Sequence, residues 1–508
     1  MHRTVIAQRL TLVLAGLTLS TCGGDPAAAR PNVILITLDT VRADFLSCYG
    51  STNGATPAVD ALARDGVLFE RAVSSSGLTP ASHATILTGD FQYRHGLRVL
   101  AAGSGFRLPA EHDTLATAFD AAGYRTGAIH SAFPVSGHFG FAQGFDTFDS
   151  FETKVEKTPD GGKVGWDVST FQRRSDETTD RAVAWLEEAA QDDRPFFLWL
   201  HYWDPHDPVK LPDSADIERL RYDPGTGDLK DEQTLTYAVE VRFQDEEIGR
   251  LLAAIDAAQL SDSTVVALTS DHGQGLVDGR ALHGWAMHRT LYREQVHVPL
   301  LLRGPGVPRG VRAADQVRTA DLAPTLLDLA GLPEFYEQID GVSLVERFEG
   351  EPLGDLVAYG EQINGYDHNA GMRRKRPEAA FLYMVSDGDW KLVYRPHMPD
   401  RSELFHVAVD PVEAKDVASE HPEIVDRLLA DLAERNPWVL ESFPQAAGPD
   451  EGATAALSGL GYAAAEVEGT GTWWWTCPVH PDVREDRRGR HDVDDCGRIL
   501  VPQGVWTE

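Results

Sequence analysis

Five short runs rich in Val, Ile, Leu and Phe, at 32–38, 125–130, 195–202, 263–270 and 297–304, alternate with stretches whose apolar residues recur at helical spacing. Runs this short and this apolar suit strands buried on both faces. The intervening stretches PAVDALARDG, TLATAFDAAG, DRAVAWLEEAA and EVRFQDEEIGRLLAAIDAA suit helices laid over a sheet. Alternation of this kind implies an α/β domain with a mainly parallel sheet and helices on both faces. In such sheets ligands bind beyond the carboxyl ends of the strands. Asp39 follows the first run, His201 closes the third with His206 just beyond, and Asp271 and His272 follow the fourth.

The character changes near residue 350. FLYMVSDGDWKLVYR and SELFHVAVDP read as antiparallel strands, and PEIVDRLLADLAERN as a helix, giving a smaller α+β domain. The expected divisions are a leader at 1–22, a catalytic domain at 31–345, the second domain at 346–445, a Gly/Ala-rich linker at 446–471 and a tail module at 472–508. A net charge of −32 leaves no basic surplus for phosphate backbones and excludes a general nucleic-acid binder.

The leader carries His2, Arg3 and Arg9, an apolar stretch from Leu10 to Leu19, and Cys22. That stretch is too short to span a bilayer and suits a secretory segment. LSTC resembles a bacterial lipobox, which implies export to the periplasm or cell envelope and a lipid anchor at Cys22.

Asp271-His272-Gly273 offers two ligands on one turn, and Asp39 a third, for a divalent cation. Thr79 opens a segment, TPASHATILTG, with a helical start. A helix N-terminus there favours an anionic ester beside the hydroxyl.

NVILITLDTVRADFLSCYG, TPASHATILTG, YRHG, HYWDPHDP, TSDHG and HRTLYREQVHVPLLLRGPG occur in the order found in the sulfatase branch of the alkaline phosphatase superfamily. The resemblance covers about residues 31–440 and implies an alkaline-phosphatase-like fold. The family's CxPxR frame reads Thr79-Pro80-Ala81-Ser82-His83, so neither precursor of formylglycine is present and that cofactor is not expected. The resemblance implies one cation held by Asp39, Thr40, Asp271 and His272, with Thr40 standing where many members have a second aspartate. The mixed carboxylate and imidazole set favours Mn²⁺ or Zn²⁺ over Ca²⁺. It further implies Thr79 as nucleophile, His83, His206 and His288 among the catalytic groups, and Arg94, His95, His201 and His283 around the substrate.

The activity implied is a sulfatase-like hydrolase acting on sulfate or phosphate esters, mono- or diester, through a covalent threonine intermediate. Its substrates would be small anionic esters or sulfated or phosphorylated glycans or lipids. The alternatives are a phospho-head-group transferase of the same superfamily and an inactive relative that binds anions or glycans. The tail resembles a small heavy-metal-binding domain, a metal ribbon, in which Cys477, His480, His491 and Cys496 would hold a structural Zn²⁺. A Cys477–Cys496 disulfide is the competing reading there.

Overall fold

The computed structural model describes residues 30–99, 107–150, 172–206, 219–220, 229, 231–284, 287–333, 339–349, 353–364, 377–396 and 398–436. It also describes the backbone of three short tail strands. The leader with Cys22, the linker, and Cys477, His480, His491 and Cys496 lie outside the described residues.

Eight strands form the main sheet: β1 Asn32–Leu38, β2 Val67–Val73, β3 Arg125–His130, β4 Thr147–Asp149, β5 Phe196–Tyr202, β6 Thr264–Ser270, β7 His297–Arg303 and β8 Val311–Arg318. Their order is β4-β3-β5-β1-β6-β7-β2-β8. All run in one direction except β7, which is antiparallel to β6 and to β2. The sheet is therefore mainly parallel with one reversed strand inside it.

Alternate residues of β1 enter two different cores. Val33 and Leu35 join one cluster with Phe197 and Trp199, while Ile34, Ile36 and Leu38 join another with Leu198 and Leu200. This is the pattern of a strand covered on both faces. Helices Pro57–Arg64, Ser175–Ala189 and Glu232–Ala257 contribute to the second cluster, and Thr79–Thr88, Leu115–Ala121 and Leu322–Leu329 to the first.

A four-stranded antiparallel sheet follows, ordered β12-β11-β10-β9 from β9 Ala358–Gln362, β10 Leu382–Ser386, β11 Lys391–Tyr394 and β12 Glu403–Phe405. The helix Pro422–Arg435 buries Leu428 and Leu432 in the same cluster as Val385, Leu392 and Leu404. In the tail, β13 Thr472–Thr476 pairs antiparallel with β14 Arg484–Glu485 and β15 Val501–Val505. Among the described residues no helix is long and apolar enough to cross a membrane.

The helix Pro57–Arg64 takes its cap from a distant residue. Thr56 precedes it without a side-chain cap bond, and Asp245 on the helix Glu232–Ala257 accepts from Val59 N at 2.9 Å and Ala58 N at 3.1 Å. Burial pushes the Asp245 carboxyl up to about 7, against the pull of those two amides. Asp245→Ala leaves both amides without that acceptor and is expected to lower the unfolding free energy by roughly 1–3 kcal/mol. A shift of the urea midpoint at unchanged slope measures it, and an unmoved midpoint would remove the cap from the account.

Candidate active site

The parallel register sets Thr37 of β1 beside His201 of β5 and Thr269 of β6, and His130 of β3 beside His201. The carboxyl ends of four adjacent strands are thus level. Asp39 leaves the end of β1 and is held by its amide on Tyr202 O at 2.8 Å. Asp271 leaves the end of β6 and is held on Leu38 O at 3.2 Å.

The two carboxylates and His272 are fully buried, with one ligand atom from each lying within 4.8 Å of the others. Asp271 Oδ1 accepts from Thr40 N at 3.1 Å and His272 N at 2.6 Å, whereas its Oδ2 has no hydrogen bond. Asp39 Oδ1 has none either. His272 Nδ1 faces the Gly273 carbonyl at 2.9 Å, so it carries the proton and leaves the Nε2 lone pair available as a ligand. Burial and the neighbouring Asp271 hold the Asp39 carboxyl well above the usual range. Orphaned oxygens on two close carboxylates plus an imidazole lone pair fit a divalent cation, which relieves both the repulsion and the desolvation.

Two backbone positions are constrained around this cluster. Thr40 has φ 57, a left-handed conformation uncommon for a β-branched residue, and its buried hydroxyl has no hydrogen-bond partner. Its amide serves Asp271 and its carbonyl takes the Tyr237 hydroxyl at 2.6 Å. At Gly273 a Cβ would lie 2.3 Å from Glu294 O, so only glycine fits the turn after His272.

Thr79 is the first residue of the buried helix Thr79–Thr88. Its Oγ1 is 3.3 Å from Asp39 Oδ2 and 3.4 Å from His272 Nε2. A hydroxyl held against the ligand cluster at a helix N-terminus is arranged to attack an anionic ester.

One turn along the helix, His83 places Nδ1 2.8 Å from Thr79 O and Nε2 3.0 Å from Thr37 Oγ1. A carbonyl only accepts, so Nδ1 carries the proton. Burial brings the ring down to about 3, so it is neutral, and Nε2 faces the Thr37 hydroxyl, which also lies 3.2 Å from Leu200 O. Both ring nitrogens thus face partners inside the site, Nδ1 the Thr79 carbonyl and Nε2 the Thr37 hydroxyl.

Three further imidazoles line one side. His206 stacks on Trp203 with centroids 3.8 Å apart, and His288 is 5.1 Å from His206 and 5.5 Å from His272. Burial first, and then neighbouring imidazoles and Arg289, hold His206 and His288 well below the usual range. An anion bound among them reverses the Coulombic part of that shift. His201 sits differently, with Nε2 3.3 Å from Asp39 Oδ2.

Three residues expected around the substrate have protein partners of their own. Arg94 is 40% exposed and pairs with Asp340 at 3.1 Å. His95 bonds Thr85 Oγ1 at 3.2 Å and accepts from Leu97 N at 3.1 Å. His283 lies against Glu294 and Glu413. These partners of Arg94, His95 and His283 are ones the motif order alone does not reveal.

The sequence reading passed over Arg289. It is buried, has φ 81, and acts electrostatically on both His206 and His288. Its amide is held on Gly77 O at 3.2 Å and its carbonyl by Asn364 Nδ2 at 2.9 Å. Gln274 was also passed over, and its Oε1 lies 3.3 Å from His288 Nδ1. Adjacency to His288 in HRT was the one available signal for Arg289.

A mainly parallel α/β sheet carrying a buried carboxylate and imidazole triad at its carboxyl edge, with a helix-borne hydroxyl against it, defines the metal-dependent alkaline-phosphatase-like class. Residues 31–332 match the Sulfatase family, more than half of the chain, and the protein belongs to that family. Residues 281–436 match the family described as N-sulphoglucosamine sulphohydrolase, C-terminal. The chain is similar to the ulvan-active sulfatase of Formosa agariphila, 29% identical over 65% of this chain and 65% of that one, so the match spans just under two thirds of that relative. It is also similar to the N-acetylglucosamine-6-O-sulfatase of Bacteroides thetaiotaomicron, 25% identical over 80% of this chain and 86% of that one. Among solved structures it shares the fold of the phosphonate monoester hydrolase of Agrobacterium radiobacter, with TM-score 0.59, 24% identity, and 80% and 96% of the two chains covered.

Proposed function

We propose that the protein is a metal-dependent ester hydrolase that transfers a sulfuryl or phosphoryl group to Thr79 and then to water. The observation that carries this reading is the Thr79 hydroxyl within 3.3 Å of Asp39 and 3.4 Å of His272. Asp39, Asp271 and His272, with Thr40 beside them, would hold the cation, for which Mn²⁺ or Zn²⁺ is favoured over Ca²⁺. When bound, it supplies Lewis acidity at the hydroxyl and at a non-bridging ester oxygen.

The chain's own groups do the rest. His83 and the helix N-terminus orient Thr79 for in-line attack, His201 steadies Asp39, and Arg289 offsets the negative charge of the ester. His206 and His288 would give the leaving oxygen its proton. A formylglycine hydrate can expel sulfate by re-forming an aldehyde, whereas a threonine ester has to be resolved by attack at sulfur or phosphorus. That difference leaves phosphate and phosphonate esters as open as sulfate esters, and the sulfated-glycan relatives point to a sugar ester as substrate. An export leader ending at Cys22 would place this activity in the cell envelope.

His206→Ala and His288→Ala are each expected to slow turnover of an alkyl or sugar ester by roughly 10²–10⁴-fold. A nitrophenyl ester, whose leaving group needs no proton, should be affected far less. Equal losses on both esters would assign these residues to binding instead. The reading as a whole is tested by turnover of aryl phosphate monoester, diester, phosphonate and sulfate with Mn²⁺, Zn²⁺, Ca²⁺ and Mg²⁺ in turn. Activity on none of them, in protein shown to hold the metal, overturns it.

A further inference from the structure

We propose that His283 is a positioning residue whose imidazolium fastens the helix Val277–His283 to the C-terminal domain, and that its deprotonation releases this helix at alkaline pH. This fastening does not rest on the site reading above.

The helix Val277–His283 leads from the metal-ligand turn to His288 and has little apolar hold on the body. Of its seven residues only Gly279 is buried, while Val277 and Leu282 are 43% and 45% exposed. Segments with so few buried contacts open locally at low cost. Its polar anchors therefore decide its position.

At the N-terminal end the anchor is permanently charged. Arg42 pairs with Asp278 at 2.7 Å and Asp44 at 2.8 Å, and donates to the Gln274 carbonyl at 3.3 Å. At the C-terminal end the anchor is His283. Its Nδ1 is 3.0 Å from Glu294 Oε1 and its Nε2 is 3.0 Å from the carbonyl of Glu413. A carboxylate and a carbonyl both only accept, so both bonds exist together only when both ring nitrogens carry protons.

The surroundings fix this ring in place. It stacks on Tyr292 with centroids 3.8 Å apart and planes within 2°, and meets Phe405 edge-on at 6.3 Å. Glu413 has φ 59, and its carboxylate takes Lys391 Nζ at 2.7 Å and Arg293 N at 2.9 Å. A left-handed glutamate held by two partners aims its carbonyl at the imidazole.

Of the charged groups around His283, Glu294 and Glu413 favour the cation. Lys391 is engaged by Glu413, the Arg293 guanidinium by Asp44 at 3.3 Å, and the Tyr292 hydroxyl by Glu403 and Arg395; Arg280 on the same helix is exposed. Burial lowers the proton affinity of the ring, but the hydrogen bond and charge of Glu294 and the Glu413 carbonyl outweigh it and leave it raised. The contribution is therefore fully present below the ordinary histidine range, about pH 6.5, and is lost as pH rises through the raised folded value. The neutral ring keeps at most one of its two links.

Hydrogen exchange of peptides from 277–284 in the full-length, metal-loaded protein tests this at pH 6 and pH 9, with rates normalised to intrinsic exchange. In the wild type, protection is expected to fall roughly tenfold or more between the two. His283→Gln should exchange fast at both, and Glu294→Gln should move the release to lower pH. Exchange independent of pH in the wild type, or wild-type protection in His283→Gln, overturns the proposal. Should either variant misfold, NMR titration of the wild-type ring decides: an imidazolium at pH 7 supports the fastening and a neutral ring contradicts it. No substrate enters these measurements, so their failure and that of the hydrolase reading are distinguishable.

Discussion

Thr79→Ala is expected to lower kcat by roughly 10⁴- to 10⁶-fold, the loss typical of removing a covalent nucleophile, with fold and metal content unchanged. The fold should survive because Thr79 anchors through its backbone: its carbonyl receives His83, and its helix is packed by Ala81, Ala84, Ile86 and Leu87 in the core. The metal should remain because Asp39, Asp271 and His272 come from two strand ends that do not depend on the hydroxyl. Thr79→Ser should retain activity, since it keeps the oxygen at the same helix position. Steady-state turnover with metal content measured on the same sample separates these outcomes. A metal-loaded Thr79→Ala protein turning over within tenfold of wild type would reassign the nucleophile.

The second large effect concerns the paired carboxylates. Because the Asp39 carboxyl is held above its ordinary range by burial and by Asp271, the unfolded chain gives up that proton first as pH rises. The metal-free protein therefore loses stability as pH climbs from the ordinary carboxylate range to the raised folded value. Asp39→Asn removes the repulsion, so without metal the variant is expected to be at least as stable as wild type at neutral pH. Added cation reverses the order: at a hundredfold excess over Kd, wild type gains about 2.7 kcal/mol, and Asp39→Asn gains little and loses turnover. Thermal unfolding with and without Mn²⁺ or Zn²⁺ reads both effects. Equal stabilisation of the two proteins would place the ion elsewhere.

The buried strands were legible because they carry their signal in composition: β1, β5, β6 and β7 are continuous apolar runs, and each falls within a residue of its expected bounds. Parallel or antiparallel direction leaves no such trace, and β7 proved reversed within the sheet. β2, VLFERAV, and β8, VRAADQVR, were missed because charged residues interrupt them, yet they pair with each other near one edge of the sheet. At the site, Asp39, Thr79, Asp271 and His272 follow directly from strand and helix ends, and the structure brings them together. The second ring of residues was less legible. Whether His95, His201 or His283 faces substrate depends on which acceptor its nitrogens find, such as Thr85, Asp39 or Glu413, and those partners are remote in the chain or unmarked by any motif.

The central claim is that an unmodified threonine carries the reacting group. Acid quenching of the metal-loaded enzyme during turnover, followed by peptide mass mapping, tests it directly. The expected result is a sulfuryl or phosphoryl adduct on Thr79, absent from Thr79→Ala, with the unreacted peptide showing the plain threonine mass. Continued turnover with Thr79 never modified, or an adduct on another side chain, would contradict it.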